Sequence, residues 1–231
     1  MISSAEAHHI TDVMRKKCGD RISVFDGTGN EYDAEILEIP EMNGKKSVVL
    51  RIIRSKRSAK EATVQIVLYQ ALLKSDKMDF VIQKCTETGV YKIVPVITER
   101  TVTVLNPVKR KERKNRWQRI AQSAAKQCGR GIIPEIGDVI EFREAIRMSS
   151  GSVELILAAT ERERHIRDYL KGDFSRISLF VGSEGGFTHD ELDEAAKAGI
   201  LSVSLGEMIL RAETAGLIAS ATVLYEKGDL G

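Results

Sequence analysis

Residues 177–192, Ile177-Ser178-Leu179-Phe180-Val181-Gly182-Ser183-Glu184-Gly185-Gly186-Phe187-Thr188-His189-Asp190-Glu191-Leu192, run from an apolar stretch into three glycines and a glutamate. ISLFV has strand length and no sustained alternation, so both of its faces need cover; that reads as a central strand of a parallel sheet. Thr188 with Glu191 three residues later has capping-box spacing, which starts a helix directly after the glycines. Ligands of open α/β sheets bind beyond the carboxyl ends of such strands, so this loop lies where a ligand would. Gly182, Gly185 and Gly186 can take positive φ and let a ligand approach the backbone. A glycine-rich turn also serves as a tight strand-to-helix connection that binds nothing. The Lys-Ser/Thr ending of a phosphate loop is missing, and the spacing is not that of a dinucleotide loop. Glu184 would repel a phosphate and suits a cationic or donor-rich ligand.

The same beat continues on both sides of this stretch. From Thr63, strands are expected at TVQIVLYQA, KIVPVI, IIPEI, VELILAA, ISLFV and LSVSL. Helices are expected at MDFVIQKCTETG, from about Pro107 to Gly129, at FREAIRM, RERHIRDYL, HDELDEAAKA and ETAGLIASATVLYE. Met78, Val81, Ile82 and Cys85 fall on one helical face before Gly89 ends the turn. Alternation of this kind implies an α/β fold, a parallel sheet with helices on both faces. After VSL a second irregular stretch turns at Gly206 and presents Met208, Ile209 and Leu210 before a helix begins near Arg211. With the glycine loop it could wall a pocket for a flat heterocycle with a polar tail, or those side chains could plug the core.

The first sixty residues read differently. A short helix opens at Ser4 to Ala7, with Ile10, Val13 and Met14 at helical spacing and an end near Gly19. RISVF, EYDAEILEI and KSVVLRII then alternate with the turn-rich DGTGN and PEMNGK, the pattern of a small antiparallel barrel or sandwich. The polar RSKRSAKEA is the expected linker, so the domains are expected at 1–60 and 61–231.

With 42% hydrophobic and 29% charged residues, the 231-residue chain has an ordinary globular composition. It holds no apolar run of the ~18 residues a membrane span needs. MISSAEAHHI lacks the layout of a signal peptide, so a cytoplasmic location is expected. Cys18, Cys85 and Cys128 are odd in number and far apart, which suggests reduced thiols rather than a disulfide frame or zinc site. Four histidines without ligand spacing give no metal expectation; His8 and His9 are expected to cap or pack the first helix. Net charge is only +2, but it is uneven: 45–60 holds seven basic and no acidic residues, and 109–130 nine basic and one acidic. Two such patches in one chain point to RNA; Trp117, within the second, is expected to pack rather than stack on a base.

Taken together, GSEGGFTHDEL, LGEMILRAETA, MDFVIQKCTETGV followed by ERT at 99–101, and AQSAAKQCGRGIIPEI resemble the RsmE family of 16S ribosomal RNA (uracil-N3)-methyltransferases. HHITDVMRKKCGD and VFDGTGNEYDAEI resemble that family's PUA-like RNA-binding barrel, so the likeness covers nearly the whole chain. The resemblance implies the SPOUT fold, whose C-terminal part is threaded into a trefoil knot, and a homodimer with S-adenosyl-L-methionine bent into the knotted loops. Three loops are implied in cofactor binding. The first holds Ala158, Ala159 and Thr160. The second holds Val181, Gly182, Ser183, Glu184, Gly185 and Gly186. The third holds Leu205, Gly206, Met208, Ile209 and Leu210, with Thr214 just beyond.

This chain departs from the family in starting seven residues before His8, where members usually carry an extra strand. Either the barrel is a strand short or the start codon was assigned late. It also has Ser183 where Pro is common, and Met at 208.

The implied reaction needs the proton of uridine N3 removed and charge stabilised on the uracil carbonyls. Arg211 and Arg100 are the candidate cations, and Glu184 is a candidate proton acceptor. Glu213 is a weaker one, since it equally suits a helix N-terminus. For RNA, the N-terminal candidates are Arg15, Arg51, Arg54, Lys56 and Arg57, and those of the basic helix are Arg113, Arg116, Arg119 and Arg130. The expected substrate is 16S ribosomal RNA, free or within the small subunit. The rivals are a SPOUT ribose 2′-O methyltransferase and a non-enzymatic RNA-binding assembly factor.

Overall fold

The computed structural model describes Ile2 and residues 4–58, 61–103 and 105–230, and the chain divides into two compact units, Met1–Lys60 and Glu61–Gly231. In the first, helix α1 (Ser4–His8) runs into a π-turn over His9–Val13. A three-stranded antiparallel sheet follows in the order β1 (Arg21–Phe25), β2 (Asn30–Glu38), β5 (Val49–Arg57). Between β2 and β5, strands β3 (Glu41–Met42) and β4 (Lys45–Lys46) form a hairpin. Asn43 and Gly44 turn it with φ of 52° and 70°, the positive pair that a two-residue hairpin loop needs. Ala7, Ile10, Ile36 and Val48 form this unit's core.

Among the described pairings the outer strands of the sheet are β1 and β5, and Ile2 bridges antiparallel to Val48 just before β5. Two expectations change here. The expected helix to Gly19 stops early. The π-turn widens the register, Arg15 takes φ 54°, and Val13 and Met14 face outward while Ile10 stays buried. The expected linker begins late, because Arg54–Arg57 continue β5 against Asp33 to Asn30. Cross-strand charge sustains that polar strand: Arg51 lies 2.7 Å from Glu35 and Lys56 3.4 Å from Glu31. Ala59 and Lys60 of the linker lie outside the described residues.

The second unit is a seven-stranded, wholly parallel sheet flanked by helices. Its elements, in chain order, are β6 (Gln65–Ala71), α2 (Ser75–Thr88), β7 (Lys92–Ile97), α3 (Pro107–Cys128), β8 (Glu135–Ile136), β9 (Ile140–Glu141), α4 (Phe142–Met148), β10 (Val153–Leu157), β11 (Arg176–Val181), α5 (His189–Lys197), β12 (Leu201–Val203) and α6 (Ala212–Glu226). The main order is β12-β10-β11-β6-β7-β8, with β9 also on β7. Along β11, Ile177, Leu179 and Val181 enter one core and Phe180 the other; β6 alternates likewise with Ile66 and Leu68 against Val67 and Tyr69.

The first core is closed by α2, α3 and α6 through Met78, Val81, Ile82, Trp117, Ala121, Ala219 and Val223. The second is closed by α4 and α5 through Phe142, Ala145 and Ala195. Tyr69 and Phe180 stack across β6 and β11 with ring centroids 4.4 Å apart. Covering both faces explains why these strands carry no polar alternation.

RERHIRDYL is not the expected helix: only Ile166–Tyr169 form one 3₁₀ turn. The carboxylate of Glu161 draws the preceding backbone N–H groups into a loop, and a strand-like bridge joins His165 to Ser204. The three thiols also differ from one another. Cys18 is exposed, Cys128 half-buried, and Cys85 buried so fully that its pKa is pushed up to about 12.

Arg130 is removed from the RNA-binding candidates. Its guanidinium is buried and donates to the carbonyls of Thr86 and Val90, both at 2.9 Å, and to Glu61 Oε2 at 2.9 Å. Glu61 Oε1 accepts in turn from the Ile132 amide. Thr86 lies in the last turn of α2, where its carbonyl also accepts from the Gly89 amide, and Val90 lies just beyond, so Arg130 gathers the carbonyls around that helix end. Replacing Arg130 by Met strands a buried carboxylate, so urea denaturation should show a loss of about 3–5 kcal/mol, without a change in the salt dependence of RNA binding.

Candidate active site

A cavity of about 460 Å³ opens at the carboxyl ends of the three adjacent strands β10, β11 and β12. The loops leaving those strands form its wall, which is where an open parallel sheet can present unpaired backbone. Leu157, Val181 and Val203 are the strand ends that floor it. The loops are laced together. The Ala158 amide donates to the Val203 carbonyl at 3.1 Å, Ser204 N–H to Arg164 O at 2.8 Å, and Ile166 N–H to Ser204 O at 3.0 Å.

The glycine loop turns on itself through Gly186 N–H to Ser183 O at 2.9 Å, with Gly186 at φ 69°. A Cβ on Gly182 would stand 3.0 Å from the Gly186 backbone, so the loop closes only without a side chain there. Arg100 braces the loop from behind, donating to the carbonyl of Gly185 at 2.8 Å and, more weakly, of Phe187 at 3.3 Å. Ser183 Oγ donates to Arg100 O. The capping box is formed, and buried Glu191 also accepts from the Glu99 amide at 2.9 Å, so the start of α5 is tied to the end of β7. Beneath the loop, Gln70 Nε2 reaches the Gly182 carbonyl at 3.4 Å, and Gly216 leaves room for α6 to pass over that side chain.

Of the residues expected to bind cofactor, all line the cavity except Thr160 and Thr214. Thr160 is exposed beyond the wall, and Thr214 lies one residue past Glu213, which does line it. Met208 and Ile209 are 82% and 76% exposed, so they are an open rim and not a core plug. Of the catalytic candidates, Arg211 and Glu184 line the cavity and Arg100 does not; its guanidinium is spent on loop carbonyls. Among the described residues, Arg211 has no side-chain partner.

Glu184 is an ill-suited proton acceptor. Burial opposes its charge, but its own backbone N–H and Lys77 hold its pKa below the usual carboxylate range. Lys77 Nζ stands 3.2 Å from Glu184 Oε1 and 3.3 Å from Glu213 Oε2.

Lys77, Arg162 and Ser204 line the cavity and were not anticipated. Lys77 sits on α2, distant in sequence from every loop motif, and helical periodicity treats it as one more polar surface position. Arg162 arrives only because the segment after β10 folds around Glu161 instead of forming a helix. Glu161 Oε1 accepts from the amides of Arg162 and Glu163, both at 2.9 Å, while Oε2 pairs with Arg164; the Glu163 and Arg164 amides with the Arg164 side chain hold its pKa at about 2 against partial burial. Among the described residues no group of three His, Cys, Asp or Glu side chains could hold a metal ion.

The basic candidates sit on exposed faces. In the first unit, Arg51 to Arg57 run along the exposed edge of β5 and Arg15 follows the π-turn. On α3, Arg119 is exposed, Arg116 is 56% exposed while paired with Asp79, and Arg113 is half-buried. Trp117 is buried on the opposite side of α3.

Comparison with known proteins adds the following. Residues 60–224 match the RNA methyltransferase domain family, and residues 2–53 the RNA methyltransferase PUA domain family. The chain is similar to ribosomal RNA small subunit methyltransferase E of Rickettsia conorii, 31% identical over 96% of this chain and 88% of that one. The protein of the same name in Bacillus subtilis is 29% identical over 97% and 89%. A solved ribosomal RNA small subunit methyltransferase E from Neisseria gonorrhoeae, bound to S-adenosyl methionine, superposes with a TM-score of 0.84 at 32% identity, covering 96% and 89%. A Legionella pneumophila chain solved with bound SAM gives 0.85 at 31%, covering 96% and 90%.

The Glu161 loop generates a pH prediction. A carboxylate whose folded pKa is depressed stabilises the fold above its unfolded pKa and ceases to do so as pH falls through the folded value. Glu161→Gln should therefore melt below the wild type at neutral pH, with the gap closing between about pH 4.5 and pH 2.

Proposed function

Because this chain belongs to the ribosomal RNA small subunit methyltransferase E family of RNA methyltransferases, we propose that it methylates N3 of a uridine in 16S ribosomal RNA, with S-adenosyl-L-methionine as the donor. The observation that carries this reading is the cavity at the ends of β10, β11 and β12, walled by backbone-rich loops. Its residues fit that donor. Gly182 and Gly186 bring backbone close, Leu157, Val181 and Leu210 offer an apolar floor, and Glu184 and Glu213 supply carboxylates for a cationic ligand. Bound there, S-adenosyl-L-methionine supplies a methyl group on a positively charged sulfur.

The protein's part is alignment and charge. Holding donor and acceptor in line removes much of the entropic barrier. The apolar rim of Met208, Ile209 and Leu210 excludes water from a step in which positive charge is lost at sulfur. Arg211, on the cavity wall, is placed to stabilise negative charge on the uracil oxygens. Arg100 acts behind the loop, keeping the Gly185 and Phe187 carbonyls turned away from the cavity.

The wider architecture proposed with this reaction has three parts. The lacing of the loops after β10 and β12 supports threading of the C-terminal segment into a trefoil knot. Exposed Met208 and Ile209 at the rim support a second copy of the chain covering the cavity as a homodimer. The basic edge of β5 and the basic face of α3 support contact with ribosomal RNA through phosphates, as free RNA or in the small subunit. Among the described residues no helix is long and apolar enough to cross a membrane; we assign the work to the cytoplasm, where the substrate is.

The direct test supplies methyl-labelled S-adenosyl-L-methionine and small subunits lacking the modification, then identifies the labelled nucleoside. Label in 3-methyluridine is the expected result, and label on ribose would transfer the fold to a 2′-O reaction. Arg211→Ala should lower turnover by about 10²–10³-fold, the scale of losing one oxyanion donor, with a smaller change in cofactor affinity. Replacing Arg116 and Arg119 by Gln should weaken RNA binding and flatten its log–log salt dependence by about 0.7–0.9 for each phosphate no longer neutralised.

A further inference from the structure

We propose that Lys77 is a positioning residue of this site, a single ammonium that ties the Gly182–Gly186 loop to the first turn of α6 and keeps two wall carboxylates from repelling each other. It projects from the first turn of α2, an element that contributes nothing else to the cavity wall. It lies 3.2 Å from Glu184 and 3.3 Å from Glu213, and these belong to separate elements whose only shared cation at that distance, among the described residues, is Lys77. Glu213 is 14% exposed at its side chain and Lys77 26%, so solvent screening is reduced at both. Glu213 Oε2 is buried and makes no aligned hydrogen bond, leaving the ion pair as its compensation.

The other charged groups facing this cluster are Lys74 before α2, Arg211 at the start of α6 and Arg162 on the loop after β10. Neither arginine pairs with Glu184 or Glu213 among the described residues. An ammonium is a compact charge that serves two carboxylates from one point, where a guanidinium would favour one of them in a planar fork. The consequence is that one side chain fixes the positions of both wall carboxylates relative to each other.

This inference rests on the cofactor reading above, and its test separates the two. Lys77→Met removes the ammonium that lowers the Glu184 pKa and leaves a second carboxylate nearby without its cation, so the Glu184 pKa rises. A carboxylate raised above its unfolded pKa withdraws stability as pH rises through its folded value. The ligand-free Lys77→Met protein should therefore melt progressively further below the wild type as pH goes from about 5 to 8. The double variant Lys77→Met/Glu184→Gln, which lacks the repulsion, should show a flat gap.

By calorimetry with S-adenosyl-L-methionine, Lys77→Met should bind roughly 10-fold more weakly at pH 8 than the wild type, the scale of coupling within one ion-pair network, and recover toward pH 6. Lys77→Arg should retain most of the affinity. A constant melting gap together with wild-type affinity in Lys77→Met would overturn the role. Absence of cofactor binding by the wild type would overturn the cofactor reading and the positioning role with it, while a pH-dependent melting gap would still confirm the charge cluster itself.

Discussion

The site exists because β11 has no free face. Its side chains enter two cores, one closed by α2, α3 and α6 and the other by α4 and α5. Neighbours β6 and β10 take up its lateral hydrogen bonds. A strand enclosed on four sides can offer polar groups only at its end, and what it offers is the backbone of Gly182 to Gly186. The close return of Gly186 to Gly182 leaves no room for a Cβ on Gly182 and sets Gly186 at positive φ, and Arg100 and Gln70 hold the carbonyls this turn leaves over.

The periodic elements were readable because their determinants are local. Met78, Val81, Ile82 and Cys85 on α2 each bury completely, and Gly89 ends that helix at φ 116°, where only a residue without Cβ is unstrained. FREAIRM coincides with α4 and the Thr188 box starts α5. The failures share a cause that lies elsewhere in the chain. RERHIRDYL has helical composition, but its backbone amides find a better acceptor in Glu161 and a bridging strand at Ser204. RSKRSAKEA looks like a linker, but four of its residues meet acidic β2 across a ladder that cannot be seen until the strands are paired.

Among charged residues, sequence position proved a poor guide to role, and the reason is energetic. Arg130 ends a run of basic residues that reads as a phosphate-binding face, yet it is buried, donating to two backbone carbonyls and paired with the Glu61 carboxylate. Arg119 on α3 stays exposed, where a charge costs little to keep and is available to a polyanion. The distinction depends on what the start of the second unit and the end of α2 bring near it, which no count of lysines and arginines contains. Lys77 is the converse case: an ordinary exposed-looking helix position that the fold sets between two carboxylates, one in the glycine loop and one at the start of α6, both more than a hundred residues downstream.

Arg100 and Lys77 together explain how a loop rich in glycine can carry an acid without coming apart. Glycines make the turn possible but add conformational freedom, and a carboxylate inside such a loop adds desolvation cost and repulsion from Glu213. Arg100 restrains the loop through its carbonyls and Lys77 through its carboxylate. The loop is thereby ordered by charge rather than by side-chain bulk, which leaves its inner surface free of atoms. A cavity meant for a cationic ligand needs that arrangement: bulk would fill it, and an unrestrained acid would open it.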